Sequence, residues 1–327
     1  MPNIQHQFEL IEAVELIKLK ALMKFSPGEK LKIGPLMIGS KNPGEVSYSW
    51  LHYHESIDYD GEKINVKVLT GIGMLATKIR QYQERKFNDR FILPETVGDA
   101  FEREAKTAEK LFNGGFPTPQ PMQHLLHDMH GNIKVPGVLL TKKIGDPTHT
   151  IDVMLNGLFR KDPNIVLACI ADGAKILKSL HEDYETIWGD PSLVNTFYVR
   201  GKQYFHNFAF APNTVKPFDF LKARDLIGFT ISAVYRARLP REVRKTIKER
   251  DIGRFLYGLE IEEVVDTVMQ SYNPSKKLRE ELRSAIESIK SKGMDGYLKN
   301  TFYYQPVYGM TRDEGLENTL VRLAKHL

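Results

Sequence analysis

The chain has 327 residues, of which 42% are hydrophobic and 27% charged, a composition that predicts a folded protein with one large domain or two ordinary ones. Its 46 basic and 41 acidic residues leave a formal charge of +5, which suits an anionic partner such as a nucleotide, RNA or an acidic protein without selecting one. The single Cys169 excludes an internal disulfide framework, and no apolar run approaches the roughly 18 residues of a membrane span, so we expect a cytoplasmic protein with no membrane partner.

The amino-terminal segment predicts one amphipathic helix over residues 5–24. Apolar residues recur there at helical spacing, and Pro27 and Gly28 end the pattern. We therefore expect residues 1–28 to be a helical appendage. Period-two alternation after it predicts an antiparallel meander of strands over residues 31–40, 46–57 and 64–70.

Helical patterns appear next. Residues 73–90 are basic and helix-like, and residues 99–112 form a strongly amphipathic helix that ends at a turn beginning with Asn113. Two more strands are predicted over 123–129 and 132–144. Most of the remaining chain has helical periodicity, with helices predicted at 151–158, 164–183, 219–236, 240–249, 251–271, 275–292 and 311–326 and a hairpin of short strands at 195–208.

This order of elements predicts an α+β fold with two lobes joined near residues 141–147. A small lobe of antiparallel sheet and one main helix would span residues 29–143. A larger helical lobe would span residues 144–327. Clefts between lobes are favoured sites for ligands.

A glycine-containing segment lies between two predicted strands at residues 38–46. It fits the pattern G-x-G-x-x-G-x-V at Gly39, Gly44 and Val46, with Lys41 in place of the middle glycine. Glycines in such a strand-turn-strand loop let backbone amides approach phosphates. A plain glycine hairpin is the alternative interpretation of the same residues.

A lysine and a glutamate form a candidate pair in the small lobe. Lys67 alternates with apolar Val66 and Val68 in a predicted strand, and a lone lysine there usually faces solvent. Glu104 borders the apolar stripe of the helix at 99–112. An ion pair between Lys67 and Glu104 would hold the lysine against nucleotide phosphates.

The segment 188–208 carries the strongest chemical signal. Asp190 precedes Asn195 by five residues, and Asn207 follows twelve residues later, after the predicted hairpin. Phosphoryl transfer needs a carboxylate that orients and deprotonates an acceptor hydroxyl, an amide oxygen for Mg²⁺ and a third metal-facing group on the next hairpin. Gly189, Asp190 and Pro191 are also turn formers, so a surface turn is the alternative.

Taken together, these segments resemble the protein kinase-like superfamily, and in particular its atypical branch with the KEOPS-complex kinase and the RIO kinases. The resemblance spans residues 31–236 in patches that follow the family order. It rests on EREAKTAEKLFNGGFPTP as a helix followed by a proline-rich turn, LLTKKIGD as the hinge, LKSLHEDYETIWGDPSLVN as helix and catalytic loop, and KARDLIGF as a later helix.

The resemblance implies a role for each matched residue. Asp190 would be the catalytic carboxylate, and Asn195 would be an amide ligand of Mg²⁺. Lys67 would contact the phosphates of ATP with Glu104 as its partner, and Asp225 would be a structural carboxylate that braces the catalytic loop. The backbone groups that contact adenine would belong to Thr141, Lys142, Lys143 and Ile144.

Two departures from the family pattern bear on activity. Trp188 replaces the usual histidine before Gly189, and Asn207 replaces the metal-binding aspartate. An amide oxygen can bind Mg²⁺ but lacks the charge that helps this cation to shed water. Asn207 is therefore compatible with three interpretations: catalysis is lost, activity is reduced but supported by Asp190 and Asn195, or the register is shifted and Asp219 is the metal ligand. An engineered substitution of the aspartate would give the same sequence.

We therefore expect an ATP-binding protein with slow phosphotransfer or ATP hydrolysis. A pseudokinase that senses nucleotide or serves as a scaffold, with RNA-processing assemblies as one setting, is the first alternative, and a small-molecule kinase is the second. A protein substrate or complex partner is expected. The resemblance also implies tRNA as a partner of the basic segments 78–90 and 234–254, although interleaved acidic residues favour a solvated surface there.

Overall fold

The computed structural model describes residues 30–33, 36–39, 46–48, 52–59, 62–69, 97–125, 138–189, 191–208, 218–237, 258–291 and 315–327. Within these ranges the chain is a mixture of α-helices and antiparallel sheets. It divides into two compact units, one of residues 1–82 and 94–144 and one of residues 83–93 and 145–327. The helices predicted at 5–24, 73–90 and 240–249 lie outside the described residues.

The first unit contains a five-stranded antiparallel sheet in the order β3-β4-β5-β7-β6 and a separate antiparallel pair, β1 and β2. One helix, α1 at Val97–Asn113, packs beside β6 and β7. The strand bounds are β1 Lys30–Ile33, β2 Leu36–Gly39, β3 Val46–Tyr48, β4 His52–Tyr59, β5 Glu62–Leu69, β6 Pro121–Leu125 and β7 Val138–Lys142.

Two of the predicted strands are in fact hairpins. The segment 31–40 is β1 and β2, which pair with Ile33 opposite Leu36, and the segment 46–57 is β3 and the start of β4, which pair with Tyr48 opposite Tyr53. A Gly-Pro sequence interrupts the first segment because proline cannot donate to a ladder. In the second, the alternation slips by one residue at Trp50 and Leu51, which lie between the two strands in sequence.

Helix α1 buries one face against the sheet. Ala105, Ala108 and Leu111 are buried, and the helix ends where Gly115 adopts a φ of +86°. Phe116 N then donates to Leu111 O across 2.9 Å, which satisfies a carbonyl at the helix end. The predicted bounds, 99–112, were therefore short by two residues at the start and one at the end.

The second unit is mainly helical. Its sheet has the order β10-β9-β8, and a single 3₁₀ turn, Leu193–Asn195, leads into β9. The element bounds are β8 Thr148–His149, α2 Thr150–Phe159, α3 Pro163–Glu182, β9 Thr196–Val199, β10 Lys202–Phe205, α4 Phe218–Ala237, α5 Ile261–Tyr272, α6 Lys276–Ser291 and α7 Gly315–Lys325.

Helix α4 is central to this unit. It contacts α2, α3, α5, α6 and α7, and it is buried on nearly every side, which fits a sequence with a long run of apolar and small residues. Because it is so enclosed, any polar side chain on α4 must find a partner inside the unit. Asp225 lies in the middle of this helix.

Of the helix predicted at 251–271, residues 251–257 lie outside the described residues. Residues 258–260 are not helical, and α5 starts at Ile261. The Glu263 carboxylate accepts a hydrogen bond from Glu260 N at 3.1 Å, which is half of a capping box and sets the start of the helix. None of the helices that the structure describes is long and apolar enough to cross a membrane.

Candidate functional site

Lys67 and Glu104 meet inside the first unit. Lys67 lies on β5, between β4 and β7, and Glu104 lies on α1. The Lys67 Nζ atom is 2.8 Å from Glu104 Oε1 and 3.0 Å from Oε2. The two residues are only 8% and 3% exposed, so this lysine does not face solvent as a lone strand lysine usually does.

A buried ion pair of this kind is costly to assemble. Each charge loses hydration, and the mutual attraction offsets that loss only when the geometry is good, as it is in this two-oxygen contact. Apolar neighbours of the same unit, Ile64, Val66 and Leu111, are fully buried. The pair is therefore a weak source of stability, and its position calls for a functional explanation.

The predicted hinge residues lie at the end of β7 and just beyond it. Thr141, Lys142, Lys143 and Ile144 are all half-buried. Lys142 N donates to Gln120 O at 2.9 Å, and Lys143 N donates to Lys63 O at 2.8 Å. With these two amides engaged inside the unit, contact between adenine and Lys142 or Lys143 would have to use carbonyl groups, and the adenine role stays a prediction.

The glycine segment is split between two sheets. Gly39 is the last residue of β2, and Val46 is the first residue of β3. In the described residues these strands do not pair with each other, because β2 pairs with β1 and β3 pairs with β4. Gly44 lies outside the described residues. Phosphate binding by this loop stays a prediction.

In the second unit, Asp225 on α4 holds the chain just before Asp190. Its Oδ2 atom accepts a hydrogen bond from Trp188 N at 2.7 Å, and its Oδ1 atom accepts one from Gly189 N at 3.1 Å. Gly189 has a φ of +81°, which a side chain would disfavour. Asp190 itself lies outside the described residues, so its catalytic role stays a prediction.

Trp188 is buried against the end of β10. Its ring stacks on Phe205 with centroids 4.1 Å apart, and its Nε1 atom donates to His206 O at 3.0 Å. The indole therefore joins the segment before Asp190 to the chain that follows β10. Trp188 is fully buried, and its N–H has a hydrogen-bond partner, as buried indoles usually do.

Asn195 and Asn207, the candidate metal ligands, lie side by side. Asn207 Nδ2 donates to Asn195 Oδ1 at 3.3 Å, and His206 N donates to Asn195 O at 3.1 Å. Asn207 has a φ of +69°, a conformation that asparagine tolerates better than most residues. Asp219, the ligand in the shifted register, lies in the first turn of α4 in an ion pair with Lys277, and the metal role of Asn207 stays a prediction.

The sequence did not single out two buried residues that are linked by hydrogen bonds to Asp225. His181, near the end of α3, places Nε2 3.2 Å from Asp225 Oδ2, and its Nδ1 is 2.7 Å from the hydroxyl of Tyr272. For His181 a signal was available, because a histidine within the apolar stripe of a helix needs a buried hydrogen-bond partner. Nothing in the local pattern around Tyr272 indicates a partner 91 residues away.

Cys169 is buried on α3, and burial raises the pKa of its thiol. Burial is also the main cause that raises the pKa of the neighbouring Tyr198, whose hydroxyl lies 3.3 Å from Asp172 Oδ2. A thiol kept protonated is a poor nucleophile. These groups therefore fit a packed interior better than a reactive centre.

The basic segments expected to contact RNA lie outside the described residues, except for residues 234–237 at the end of α4. RNA binding and a cytoplasmic location therefore stay predictions. Among the residues that the structure describes, no group of three or more His, Cys, Asp or Glu side chains could hold a metal ion. Magnesium binding stays a prediction.

Comparisons with known proteins gave distant structural likenesses only. No protein family model and no curated protein matches the sequence. WaaP in complex with acyl carrier protein is 13% identical with a TM-score of 0.44, over 77% of this chain and 88% of that chain. Glucosamine kinase in complex with glucosamine, ADP and inorganic phosphate is 11% identical with a TM-score of 0.37, over 96% and 97% of the two chains. Crystal form A of glucosamine kinase has a TM-score of 0.36 at 11% identity, over 96% of each chain. We draw no conclusion about function from likenesses at these TM-scores.

Proposed function

We propose that this chain has a protein kinase-like fold and binds ATP with Mg²⁺, with slow phosphotransfer or ATP hydrolysis as its activity. The observation that carries the proposal is the buried ion pair between Lys67 and Glu104, at 2.8 Å and 3.0 Å. A lysine held by a helix glutamate is the arrangement that kinases use to fix a phosphate-binding ammonium group. Its cost in desolvation suits a group that is placed to meet an anion.

The second unit supplies supporting observations. Asp225 accepts hydrogen bonds from the two amides that precede Asp190, and Asn195 contacts Asn207. In the proposed roles Asp190 orients the acceptor hydroxyl or water, and Asn195 and Asn207 hold Mg²⁺ through their amide oxygens. The metal, when bound, would offset the negative charge of the phosphates.

A catalytically impaired pseudokinase is the second candidate. The contact between Asn207 and Asn195 favours it, because both side chains are neutral amides and one uses its N–H₂ group to satisfy the oxygen of the other. Mg²⁺ would have to displace that hydrogen bond without the attraction of a carboxylate. This protein would then bind nucleotide with little dependence on metal. The acceptor stays open between a protein hydroxyl and a small molecule.

Nucleotide binding is tested by calorimetric titration of ATP with and without Mg²⁺. The informative variant is Lys67→Met/Glu104→Leu, which removes both charges together and so leaves neither one buried alone. We expect it to weaken ATP binding by roughly tenfold or more, the effect of one lost charge-assisted contact. Lys63→Met is the matched control, since Lys63 is an exposed lysine on the same strand.

Chemistry is tested separately with ATP labelled at the γ-phosphate. We expect Asp190→Ala to bind ATP as the original chain does and to lose transfer and hydrolysis. Equal ATP affinity in the double variant and the original chain would overturn the role of Lys67. ATP binding that is independent of Mg²⁺, with no turnover in the original chain, would establish the pseudokinase instead.

A further inference from the structure

A line of three buried side chains ends at the backbone before Asp190. The Tyr272 hydroxyl lies 2.7 Å from His181 Nδ1, and His181 Nε2 lies 3.2 Å from Asp225 Oδ2. Tyr272 and His181 are fully buried, and Asp225 is 1% exposed. The line joins α5, α3 and α4, three helices that are distant in sequence, at a single carboxylate.

The hydrogen-bond pattern assigns a direction to this line. The Asp225 carboxylate can only accept, and it already accepts from Trp188 N and Gly189 N, so the contact with His181 requires a hydrogen on Nε2. In the tautomer with hydrogen on Nε2 alone, Nδ1 is an acceptor, and the Tyr272 hydroxyl is in place to donate to it. Burial raises the pKa of Tyr272, which keeps the hydroxyl protonated. In this tautomer every donor in the line points toward Asp225.

We propose that Tyr272 is a positioning residue, which acts through His181 on the Asp225 carboxylate and, through it, on the backbone of Trp188 and Gly189 that leads into Asp190. The functional part of this inference rests on the proposed function, because it assigns Asp190 to catalysis. The structural part, a loop held by the line of hydrogen bonds, does not need it. Neither residue is proposed to touch substrate.

Helix α5 would in this way help to fix the backbone of Trp188 and Gly189. Tyr272 is the last residue of α5, and Asn273 follows it with a φ of +47°, so the hydroxyl is fixed by a well-defined helix end. If the hydroxyl is removed, Nδ1 of His181 loses its donor in a buried place, and the imidazole can adopt other orientations or tautomers. Asp225 would then be held by one fewer fixed partner.

The first test measures amide hydrogen exchange of the peptide that contains Trp188 and Gly189 in the full-length protein. We expect Tyr272→Phe to speed exchange there by about tenfold, the equivalent of one lost hydrogen bond. Tyr198→Phe is the matched control, because it removes a tyrosine hydroxyl that contacts Asp172 elsewhere in the same unit. Exchange at residues 188 and 189 should be unchanged in that control.

A pair of near-isosteric variants tests the direction of the line. His181→Gln can place an amide N–H₂ near the position of Nε2 and keep the donor to Asp225, whereas His181→Asn places its amide nearer Nδ1 and loses that donor. We expect exchange close to the original rate in His181→Gln and faster exchange in His181→Asn. A structural role in packing alone would affect the two variants alike.

Kinetics provide the second readout. In Tyr272→Phe and His181→Asn we expect kcat to fall by roughly tenfold to a hundredfold with little change in KM for ATP, and His181→Gln should restore most of kcat. Unchanged exchange at residues 188 and 189 in a folded Tyr272→Phe protein would overturn the positioning role. An original chain that neither binds nor turns over ATP would sink the proposed function, while the exchange results would still decide the structural proposal.

Discussion

The side-chain amides of Asn195 and Asn207 lie in contact, with Nδ2 of Asn207 3.3 Å from Oδ1 of Asn195. The contact spans twelve residues of sequence and the whole β9–β10 hairpin, which folds Phe205 back beside Thr196. It brings together the two side chains that the resemblance to kinases implies as metal ligands. What the pair lacks is a negative charge.

Replacing Asn207 with aspartate should supply that charge. We expect Asn207→Asp to raise Mg²⁺-dependent ATP turnover by roughly tenfold to a hundredfold, because a carboxylate attracts the cation and the Asn195 amide can turn its N–H₂ group toward it. Aspartate also tolerates the φ of +69° at this position. The measurement is the rate of ATP hydrolysis and transfer over a range of Mg²⁺ concentrations.

Asn207→Gly is the appropriate control for this substitution. Glycine removes the side chain without straining the positive φ, so any loss of metal dependence reflects the amide and not the backbone. A rate in Asn207→Asp equal to that of the original chain, at every Mg²⁺ concentration, would contradict the assignment of Asn207 as the metal-facing position.

Removing one partner of the Lys67–Glu104 pair should destabilise the protein strongly. We expect Glu104→Leu to lower the free energy of unfolding by about 3–5 kcal/mol, because it leaves the lysine charge buried beside an apolar side chain. The double variant Lys67→Met/Glu104→Leu should lose far less. Urea unfolding of both single variants and of the double variant gives the coupling energy directly.

An exposed pair on the same helix serves as a control. Lys106 and Glu102 are one turn apart on α1, with Nζ and Oε1 2.6 Å apart and side chains 67% and 38% exposed. Exposed pairs at this spacing contribute only about 0.3–0.5 kcal/mol. Equal costs for breaking the two pairs would mean that Lys67 and Glu104 are better hydrated than their burial indicates.

Much of the fold follows from local patterns in the sequence. The helices over 164–183 and 275–292 were predicted to within a residue at each end, because their apolar residues recur at helical spacing and proline or a short turn marks their starts. The turns inside 31–40 and 46–57 were missed. Alternation has the same period in one long strand as in two strands of a hairpin, so only local irregularities could have revealed a break: the Gly-Pro sequence in the first segment and the adjacent apolar residues Trp50 and Leu51 in the second.

The candidate site was predictable to a lesser extent. The contact between Lys67 and Glu104 follows from a strand lysine and a glutamate at the edge of an apolar helical stripe, once the two elements are assumed to pack together. The contact of His181 with Asp225 and Tyr272 does not follow from any local pattern, since the partners are 44 and 91 residues away. Only the packing of α3, α4 and α5 brings them together.

Asp225→Asn should be costly because Asp225, only 1% exposed, lies inside the unit. The new amide would turn an N–H₂ group toward Trp188 N, Gly189 N or His181 Nε2, all of which are donors to the present carboxylate. We expect the free energy of unfolding to fall by roughly 2–4 kcal/mol, since hydrogen bonds to a buried charge are lost. Urea unfolding followed by far-UV circular dichroism measures the change.

Asp219→Asn offers the matched control for Asp225→Asn. Asp219 lies in the first turn of the same helix and is paired with Lys277, whose side chain is 77% exposed. Because the lysine of this pair is mostly in solvent, removal of the Asp219 charge should lower the free energy of unfolding much less than Asp225→Asn does. If Asp219→Asn lowered the free energy of unfolding as much as Asp225→Asn, negative charge on α4 would stabilise the unit, and not the hydrogen bonds from Trp188 N and Gly189 N.

The pH dependence of stability should report on Asp266 of α5. Hydrogen bonds from Arg322, with a smaller contribution from His326, hold the pKa of this carboxyl below its ordinary value of 3.8. Because the folded pKa is lowered, the stabilising contribution is complete above the unfolded pKa and is lost as the pH falls from about 3.8 through the folded pKa. Free energies of unfolding measured by urea titration between neutral and acid pH should therefore decline in this range.

In Asp266→Asn, part of that decline should disappear, and stability at neutral pH should be lower, because the charge-assisted contacts with Arg322 on α7 are absent at every pH. Glu280→Gln, on an exposed carboxylate of α6, should leave the acid decline unchanged by comparison. An acid decline that is identical in Asp266→Asn and the original chain would place the responsible carboxylates elsewhere. High salt should weaken the stabilising contribution of Asp266 only in part. The Arg322 guanidinium donates to the carboxylate from two nitrogen atoms, so the contact has directed hydrogen bonds in addition to the attraction of charges.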